Sequence, residues 1–247
     1  MIDRVFVLVP AYNAGATVEK VFARIPDAAR RRISRYVVVD DGSTDDTAAA
    51  LRRISRDFSC LTVITHGRNQ GYGAAEKTLL TYARREGAGA AVILHSDGQY
   101  SPEKIPDLLA PLDRNEADIV QGSRMLDGGA LRGGMPFYKF ISNKFLTAVE
   151  NLAFGMTLAE YHSGYLVYSR RVLEEVPFEK LSDSYDIDVE MIVCGRLLGL
   201  RIKEIAIPTI YAGEVSHLRP VRYGLDVLKI VRKYRRGYYR RLTRAGA

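Results

Sequence analysis

The chain has only two cysteines among its 247 residues, and it lacks any long apolar run. Cys60 and Cys194 are far apart and lie in apolar contexts without metal-ligand spacing, so we expect two buried, reduced thiols, as in a cytosolic protein. The longest apolar stretches, Val5–Ala11 and Ala88–Leu94, have strand length and fall short of the ~18 residues that cross a bilayer. Because the N-terminus runs straight into the first stretch, we expect no signal peptide.

Positive charge is unevenly distributed along the chain, whose formal net charge is +7. Residues 219–247 hold ten basic side chains and one acidic side chain, Asp226, which gives a net charge of +9. The other 218 residues hold 26 basic and 28 acidic side chains, which gives −2. The sequence therefore describes a nearly neutral globule with a basic C-terminal segment, and this segment would meet an acidic partner.

Strand-like runs of Val and Ile alternate with helix-like segments through the first half. This alternation predicts an α/β fold with a mostly parallel sheet that helices cover on both faces. In the second half, the Gly-rich stretch from Asp127 to Gly134 predicts a mobile loop. We expect one domain, residues 1–220, and a helical extension, residues 221–247. The predicted strands are Val5–Val9, Tyr36–Asp40, Cys60–Thr65, Ala90–Leu94, Asp118–Gly122 and Ile202–Ile207. The predicted helices are Thr17–Ile25, Thr44–Asp57, Gly71–Arg85, Pro102–Leu112, Phe137–Phe154 and Asp186–Leu198.

Polar clusters follow four of the predicted strands. In parallel sheets ligands bind beyond the carboxyl ends of the strands, so four clusters at one edge predict a binding site. The clusters are Pro10–Asn13, Asp40–Ser43, the stretch from His66 to Gly73, and His95–Gln99.

The cluster after the second strand has the chemistry of a nucleotide contact. The carboxylates of Asp40 and Asp41 can accept hydrogen bonds from a base edge or from ribose hydroxyls. Gly42 permits a tight turn. The alternative is a plain turn in which Ser43 or Thr44 caps the next helix.

The cluster after the fourth strand has the chemistry of a metal site. Asp97 and Gln99 offer a carboxylate and an amide oxygen two residues apart, a pair that suits Mg²⁺ or Mn²⁺ with phosphate oxygens as further ligands. Such an ion would neutralise charge on a leaving diphosphate. The alternative is a polar turn in which Ser101 caps the helix that opens at Pro102.

Together these clusters resemble the family 2 glycosyltransferases of the GT-A fold, well from Val5 to Arg124 and more weakly to about Gly224. The Gly-Ser-Arg at the end of the fifth strand is similar to that of the polyprenyl-phosphate branch, which includes dolichyl-phosphate mannosyltransferase. The segments that carry the resemblance are Val9–Asn13, Asp40–Thr47, Asn69–Ala75, Asp97 with Gln99, and Gly122–Arg124.

The resemblance implies an inverting transfer of a hexose from a nucleotide-diphosphate sugar, GDP-mannose or UDP-glucose, to a polyprenyl or dolichyl phosphate. It implies that Asp97 and Gln99 hold the metal. One departure concerns His95, which stands where the family's Asp-x-Asp motif has its first Asp. His95 can ligate Mn²⁺ more readily than Mg²⁺, or it can hydrogen-bond the sugar or a neighbouring loop. The implied donor-binding residues are Pro10, Tyr12, Asn13, Asp40, Asp41, Gly42, Ser43, Gln70, Gly71, Ser96, Asp97 and Gln99.

The implied acceptor side begins at Arg124. A lipid phosphate is largely ionised at pH 7 and needs little general base, so a bidentate guanidinium suits it. Lys139 and Ser142, three residues apart on a predicted helix, would face the same phosphate or else lie on a solvated face. Further acceptor contacts are implied at Ser163, His217 and Arg219.

A sugar-hydroxyl acceptor would instead require a carboxylate base. Asp186, Asp188 and Glu190 are the candidates for this base, and Asp186 and Asp188 are the two that we expect in the catalytic site. The alternative is that the first two simply favour a helix N-terminus.

The basic C-terminal segment repeats apolar residues at helical spacing, a pattern typical of helices on an anionic membrane surface. The alternative is a helix packed on the domain with an ordinary charged face. We therefore expect a protein on the cytoplasmic face of a membrane. The main rival function is transfer to a hydroxyl group of a soluble or polysaccharide acceptor. A nucleotidyltransferase of related fold is disfavoured, because Val9–Asn13 does not resemble the Gly-rich phosphate loop with which such enzymes usually begin. A nucleic-acid-binding sensor of nucleotides is also disfavoured, because the sequence offers no known nucleic-acid-binding module.

Overall fold

The computed structural model describes residues 1–208 and 220–244. Within these ranges, seven strands form one sheet in the order β3-β2-β1-β4-β6-β5-β7. The strands are β1 (Val5–Ala11), β2 (Ile33–Asp40), β3 (Leu61–Thr65), β4 (Ala90–Ile93), β5 (Ile119–Ser123), β6 (Leu166–Ser169) and β7 (Ile202–Ala206). The predicted α/β architecture with a mostly parallel sheet is confirmed.

One strand, β6, runs against its neighbours. It pairs antiparallel with both β4 and β5, whereas the other pairs in the sheet are parallel. Because β6 is reversed, its amino end lies at the edge where β4 and β5 have their carboxyl ends. The Ser163–Tyr165 segment that enters β6 therefore reaches the same edge as the polar strand-end clusters.

Helices cover both faces of the sheet. Apolar side chains of β1 alternate with period 2: Val7 belongs to the core beneath α1, α2, α3 and α5, and Leu8 to the core beneath α4, α8 and α9. The helices are α1 (Val18–Ala23), α2 (Asp27–Arg30), α3 (Thr47–Asp57), α4 (Tyr72–Arg85), α5 (Ile105–Asp113), α6 (Gly129–Arg132), α7 (Phe137–Phe154), α8 (Arg170–Glu175), α9 (Ile187–Leu197), α10 (Pro220–Arg235) and α11 (Tyr238–Arg244).

The C-terminal helices pack on the α4 face of the sheet. Ile230, Val231 and Tyr239 are buried in its core, and the ring centroids of Tyr234 and Phe154 lie 5.0 Å apart, which joins α10 to α7. The boundary that the sequence suggests at residue 220 stays a prediction. In the part of the chain that the structure describes, no helix combines the length and apolarity that crossing a bilayer requires.

Several local expectations are corrected. The segment from Asp127 to Gly134 is not a plain loop, because it contains a 3₁₀ turn at Leu126–Gly128 followed by α6. Ser101 precedes the helical turn at Pro102, but its side chain makes no capping bond. Of the two free thiols, Cys194 is buried and Cys60 only partly so.

Candidate active site

The turns after β1 and β2 are bonded to each other. Asn13 takes a left-handed backbone conformation (φ +50°), and its amide oxygen accepts from the Thr44 backbone N–H at 2.9 Å. The Asn13 backbone N–H donates to Ser43 Oγ at 2.9 Å, and the Ser43 N–H donates to Asp40 Oδ1 at 3.0 Å. Ser43 and Thr44 therefore bind the neighbouring turn instead of capping α3, whose N-cap residue is Asp46.

Gly42 makes the tight turn that the sequence predicts. Its φ is +71°, and a Cβ there would lie 2.5 Å from the backbone carbon of Arg68. Beside this turn Tyr12 is exposed, and the Pro10 carbonyl accepts from Ser96 Oγ at 2.9 Å, which ties β1 to the loop after β4. These hydrogen bonds thus hold the strand-end turns together at one edge of the sheet.

Asp41 organises the start of α4. Its buried carboxylate accepts from the backbone N–H of Gln70 at 3.0 and 3.1 Å and of Gly71 at 2.9 Å, and it lies 2.6 Å from Nδ1 of His66. The backbone N–H groups of Gln70 and Gly71 therefore already donate hydrogen bonds within the protein. The donor contacts implied for these three residues stay predictions.

The loop after β4 carries the residues implied for the metal. Asp97 Oδ1 accepts from the backbone N–H of Gln99 at 2.9 Å, and the intervening Gly98 has φ +81°. The Asp97 carboxylate and the Gln99 side-chain amide therefore belong to the same tight turn. Carboxylate and amide oxygens are ligands that Mg²⁺ accepts while it keeps water and phosphate oxygens in its shell, so the residues present fit the ion.

His95 is held by its neighbours. Its Nε2 lies 3.0 Å from the Tyr72 hydroxyl, and its ring centroid lies 5.2 Å from that of Tyr72 and 4.9 Å from that of Tyr100. Burial lowers the pKa of His95, so the imidazole is neutral at pH 7. Of the roles that the sequence leaves open, the structure shows a hydrogen bond to a neighbouring element, helix α4.

A buried carboxyl pair lies behind His95. The Tyr72 hydroxyl donates to Asp188 Oδ1 at 3.3 Å, and the buried carboxyl groups of Asp188 and Glu76 lie close enough to act on each other's pKa. Burial raises the pKa of Asp188 to about 7, and burial together with the nearby Asp188 raises the pKa of Glu76 well above its ordinary value. The Tyr168 hydroxyl donates to Glu76 Oε1 at 3.4 Å. The pair therefore shares at least one proton at neutral pH.

Arg124, at the end of β5, pairs with a buried carboxylate. Its Nε donates to Glu160 Oε1 at 2.9 Å, its backbone N–H donates to Glu160 Oε2 at 2.9 Å, and its Nη2 donates to the His162 carbonyl at 2.7 Å. The Arg124 guanidinium lowers the pKa of Glu160 against the raising effect of burial. Two residues after His162, a Cβ on Gly164 would lie 2.6 Å from His95 Nε2, so the segment that Arg124 contacts packs against the metal-motif loop (His95–Gln99).

The other implied acceptor residues are placed differently. Ser142 is exposed, and its hydroxyl donates to the Tyr138 carbonyl at 2.8 Å, while Lys139 is partly exposed on the same helix, α7. Ser163 is fully buried and donates to the Gly122 carbonyl. The acceptor contacts of these residues stay predictions, and His217 and Arg219 lie outside the described residues.

The three candidates for a general base, Asp186, Asp188 and Glu190, lie in different environments. Asp186 occupies the N-cap position and is partly buried, and burial raises its pKa. Glu190 is used internally, because it accepts from the Ser182 backbone N–H at 2.7 Å, Tyr239 Oη at 2.6 Å and Lys233 Nζ at 3.1 Å. Of the three, Asp188 is the carboxyl that connects to the strand-end edge through Tyr72.

Comparison with known proteins decides the family. The sequence profile of Glycosyl transferase family 2 matches residues 6–177, more than two thirds of the chain. The chain belongs to glycosyl transferase family 2. The matched range contains both the strand-end loops and the Arg124–Glu160 pair of the transferase.

Relatives and solved structures agree with this assignment. The transferase is 25% identical over 219 residues to a UDP-N-acetylglucosamine–dolichyl-phosphate N-acetylglucosaminyltransferase of Methanococcus voltae, covering 84% of this chain and 86% of that protein. It is 27% identical over 195 residues to a dolichol-phosphate mannosyltransferase of Pyrococcus furiosus, covering 78% of this chain and 53% of that protein. Glucosyl-3-phosphoglycerate synthase of Mycobacterium tuberculosis, crystallised with Mn²⁺, UDP and phosphoglyceric acid, shares the fold: TM-score 0.67, 20% identity, 93% of this chain and 76% of that chain.

Three residues of the site are absent from the sequence-based predictions. Tyr72 was visible only as part of a Gly-rich helix start. Glu76 interrupts the apolar face of α4 formed by Ala75, Leu79 and Leu80, and a charge in that position is a signal for a buried partner. Glu160 has no comparable local signal, because its partner is 36 residues away.

Proposed function

We propose that the transferase moves a hexose from a nucleotide-diphosphate sugar, GDP-mannose or UDP-glucose, to a polyprenyl or dolichyl phosphate at the cytoplasmic face of a membrane. The observation that carries the proposal is the position of Arg124 at the end of β5, beside the metal-motif loop. The names of two relatives add support, since both are dolichyl-phosphate sugar transferases. In the proposed reaction a phosphate oxygen forms a bond to the anomeric carbon as the bond to the nucleoside diphosphate breaks, with inversion.

The proposed donor site lies at the hydrogen-bonded turns that follow β1, β2 and β4. We expect Asp40 and the exposed ring of Tyr12 to meet the nucleoside, since both lie at the carboxyl ends of parallel strands. Asp97 and Gln99 would hold Mg²⁺ or Mn²⁺, and such an ion supplies charge neutralisation for the leaving diphosphate when bound. Crystal structures of the fold neighbour with Mn²⁺ or Mg²⁺ and UDP support this expectation.

A second function is favoured by one observation, the carboxyl pair. A carboxylate with a pKa of about 7 is suited to take a proton from a sugar hydroxyl, so Asp188 would serve as the base for a hydroxyl acceptor. An ionised phosphate needs no such base. The two functions therefore differ in how they depend on Asp188.

The experiment that distinguishes the two functions tests each donor with each acceptor. GDP-mannose, UDP-glucose and UDP-N-acetylglucosamine are each incubated with short polyprenyl phosphates and with free sugars or glycans, with and without Mn²⁺ or Mg²⁺. We expect product on the polyprenyl phosphate, with Asp188→Asn keeping activity within a few-fold. Product on a hydroxyl acceptor, lost by roughly 100-fold or more in Asp188→Asn, would establish the second function instead.

Neutralising Arg124 tests the phosphate site. Removal of the guanidinium alone would leave Glu160 buried and unpaired, so the informative variant replaces both, Arg124→Gln with Glu160→Gln. We expect transfer to a polyprenyl phosphate to fall roughly 100-fold, while slow hydrolysis of the donor is unchanged, because only the acceptor loses a charged partner. Equal losses in both assays would assign Arg124 to the donor, and thermal unfolding reports whether the fold is intact.

Exposed basic residues of the C-terminal segment test membrane binding. Truncation would remove Ile230 and Tyr239 from the core, so charge removal is cleaner: Lys229, Arg232 and Arg236 to Gln. At ~1 kcal/mol per basic residue near an anionic surface, three changes reduce vesicle affinity by roughly 100-fold. The matched control changes three exposed arginines on or near the opposite face of the sheet, Arg31, Arg52 and Arg56. Unchanged sedimentation with anionic vesicles would remove this part of the proposal.

A further inference from the structure

Helix α7 (Phe137–Phe154) exposes an unusual amount of apolar surface. A surface helix of a globular protein ordinarily buries its apolar stripe and presents its polar face to water. In α7 the buried residues are two polar ones, Thr147 and Glu150, together with Phe154, whereas five large apolar side chains are at least half exposed.

Hydrogen bonds and a close contact between a carboxyl group and a histidine hold the inward face of α7. Asn143 Nδ2 donates to Glu160 Oε1 at 3.3 Å, which connects the helix to the partner of Arg124. Glu150, fully buried, lies 3.0 Å from Nε2 of His162. In the next residue, Asn151, Oδ1 accepts from the Tyr161 hydroxyl at 2.9 Å. These bonds fix the rotation of α7 about its axis.

The outward face of α7 carries a continuous apolar stripe. Tyr138, Ile141, Phe145 and Leu152 are 62, 50, 67 and 83% exposed. With Ala148 they follow the i, i+3, i+7 spacing of one helix face and extend over ~21 Å at 1.5 Å per residue. Phe137, 68% exposed, lies at the start of the stripe. A stripe of this size is typical of a surface that meets an apolar partner.

The charges around the stripe identify the kind of partner. Glu150 is the only acidic residue of α7 and is buried, whereas Lys144 is exposed. The neighbouring helix α10 adds two exposed apolar residues, Leu225 and Leu228, and a row of exposed basic side chains. A symmetric contact between two copies would bring these like charges together. An anionic bilayer offers acyl chains to the stripe and phosphates to the basic fringe.

We propose that α7 lies in the interface of an anionic bilayer, with its apolar stripe directed toward the acyl chains. This surface differs from the basic C-terminal segment and stands whichever acceptor the transferase uses. Asn143 on the inward face of the same helix bonds to Glu160, so α7 connects the proposed bilayer contact to the Arg124 site.

The absence of tryptophan from the chain provides a direct probe. Phe145→Trp places a single indole on the stripe, and Val63→Trp places one at 42% exposure on the edge strand β3 as the matched control. With vesicles of phosphatidylglycerol and phosphatidylcholine in equal parts, we expect a blue-shifted emission and quenching by brominated acyl chains for Phe145→Trp only. Equal spectra for the two variants with and without vesicles would overturn the proposal.

Removal of the stripe supplies the second measurement. Ile141→Ser with Phe145→Ser deletes two outward side chains that contribute little to the core, so the fold is expected to persist by circular dichroism. Vesicle affinity should fall roughly tenfold or more at a salt concentration that screens the basic residues. If the double variant instead converts a dimer into a monomer, with vesicle affinity unchanged, the stripe is an interface between copies and the bilayer proposal is wrong.

Discussion

Replacing Asp97 with Asn is expected to reduce sugar transfer by roughly 1,000-fold, equivalent to about 4 kcal/mol of transition-state stabilisation. Asp97 is the only carboxylate in the loop after β4, and with Gln99 it is the pair we propose to hold a divalent ion. Asn keeps the shape and can still accept from the Gln99 N–H, so the loop persists while the negative charge is lost. The measurement is the transfer rate across a Mn²⁺ and Mg²⁺ titration.

The control for this variant is Asp107→Asn, which removes an exposed carboxylate ion-paired with Lys104 on the outside of the domain. It should leave the rate unchanged. Full activity of the wild-type transferase in EDTA would contradict a metal role for Asp97. A rate loss in Asp97→Asn that high Mn²⁺ restores would locate the defect in ion affinity.

Glu76→Gln is expected to raise the free energy of unfolding at pH 8 by up to about 4 kcal/mol. The side-chain amide can donate to Asp188 without a shared proton, which removes the cost of two carboxyl groups buried together. Each pH unit over which the folded state keeps Glu76 protonated above its unfolded pKa costs about 1.4 kcal/mol, and Gln does not titrate, so this cost disappears in the variant. Denaturant unfolding at several pH values measures the effect.

The sign of the pH dependence follows from the direction of the shifts. The native pKa values of Asp188 and Glu76 are raised, so between about pH 4 and 7 the folded state binds more protons than the unfolded state. The stability that the protonated pair provides is complete below the unfolded pKa and is lost as pH rises through the folded pKa. Glu76→Gln should flatten this fall, whereas Glu174→Gln on the surface should not. A parallel pH profile in both variants would contradict the shared proton.

The sequence predicts the parts of this fold that depend on local pattern. The strands β1 to β5 are short runs of Val and Ile, and each lies within three residues of its predicted bounds. The strand-end loops converge because parallel strands share one carboxyl edge, which is a property of topology more than of any single residue. Helix α7 has the bounds that the sequence predicts.

The remaining features depend on contacts between distant residues. The antiparallel direction of β6 follows from its place between β4 and β5, which local sequence does not specify. Glu160 lies 36 residues from Arg124 and 17 from Asn143, so its role emerges only when β5 and α7 are assembled. An amphipathic pattern predicts helix α7 but does not indicate that five of its large apolar side chains are exposed.

The exposed apolar stripe of α7 can be redesigned independently of the face that packs on the domain. Its register against the domain is set by Asn143, Glu150 and Asn151, whose partners are polar and specific. Its outward residues contact little of the protein, so they can be exchanged for Glu, Gln or Lys with little effect on the register. Redesigning one face of one helix is therefore expected to reduce the exposed apolar surface of the transferase with the geometry around Arg124 left in place.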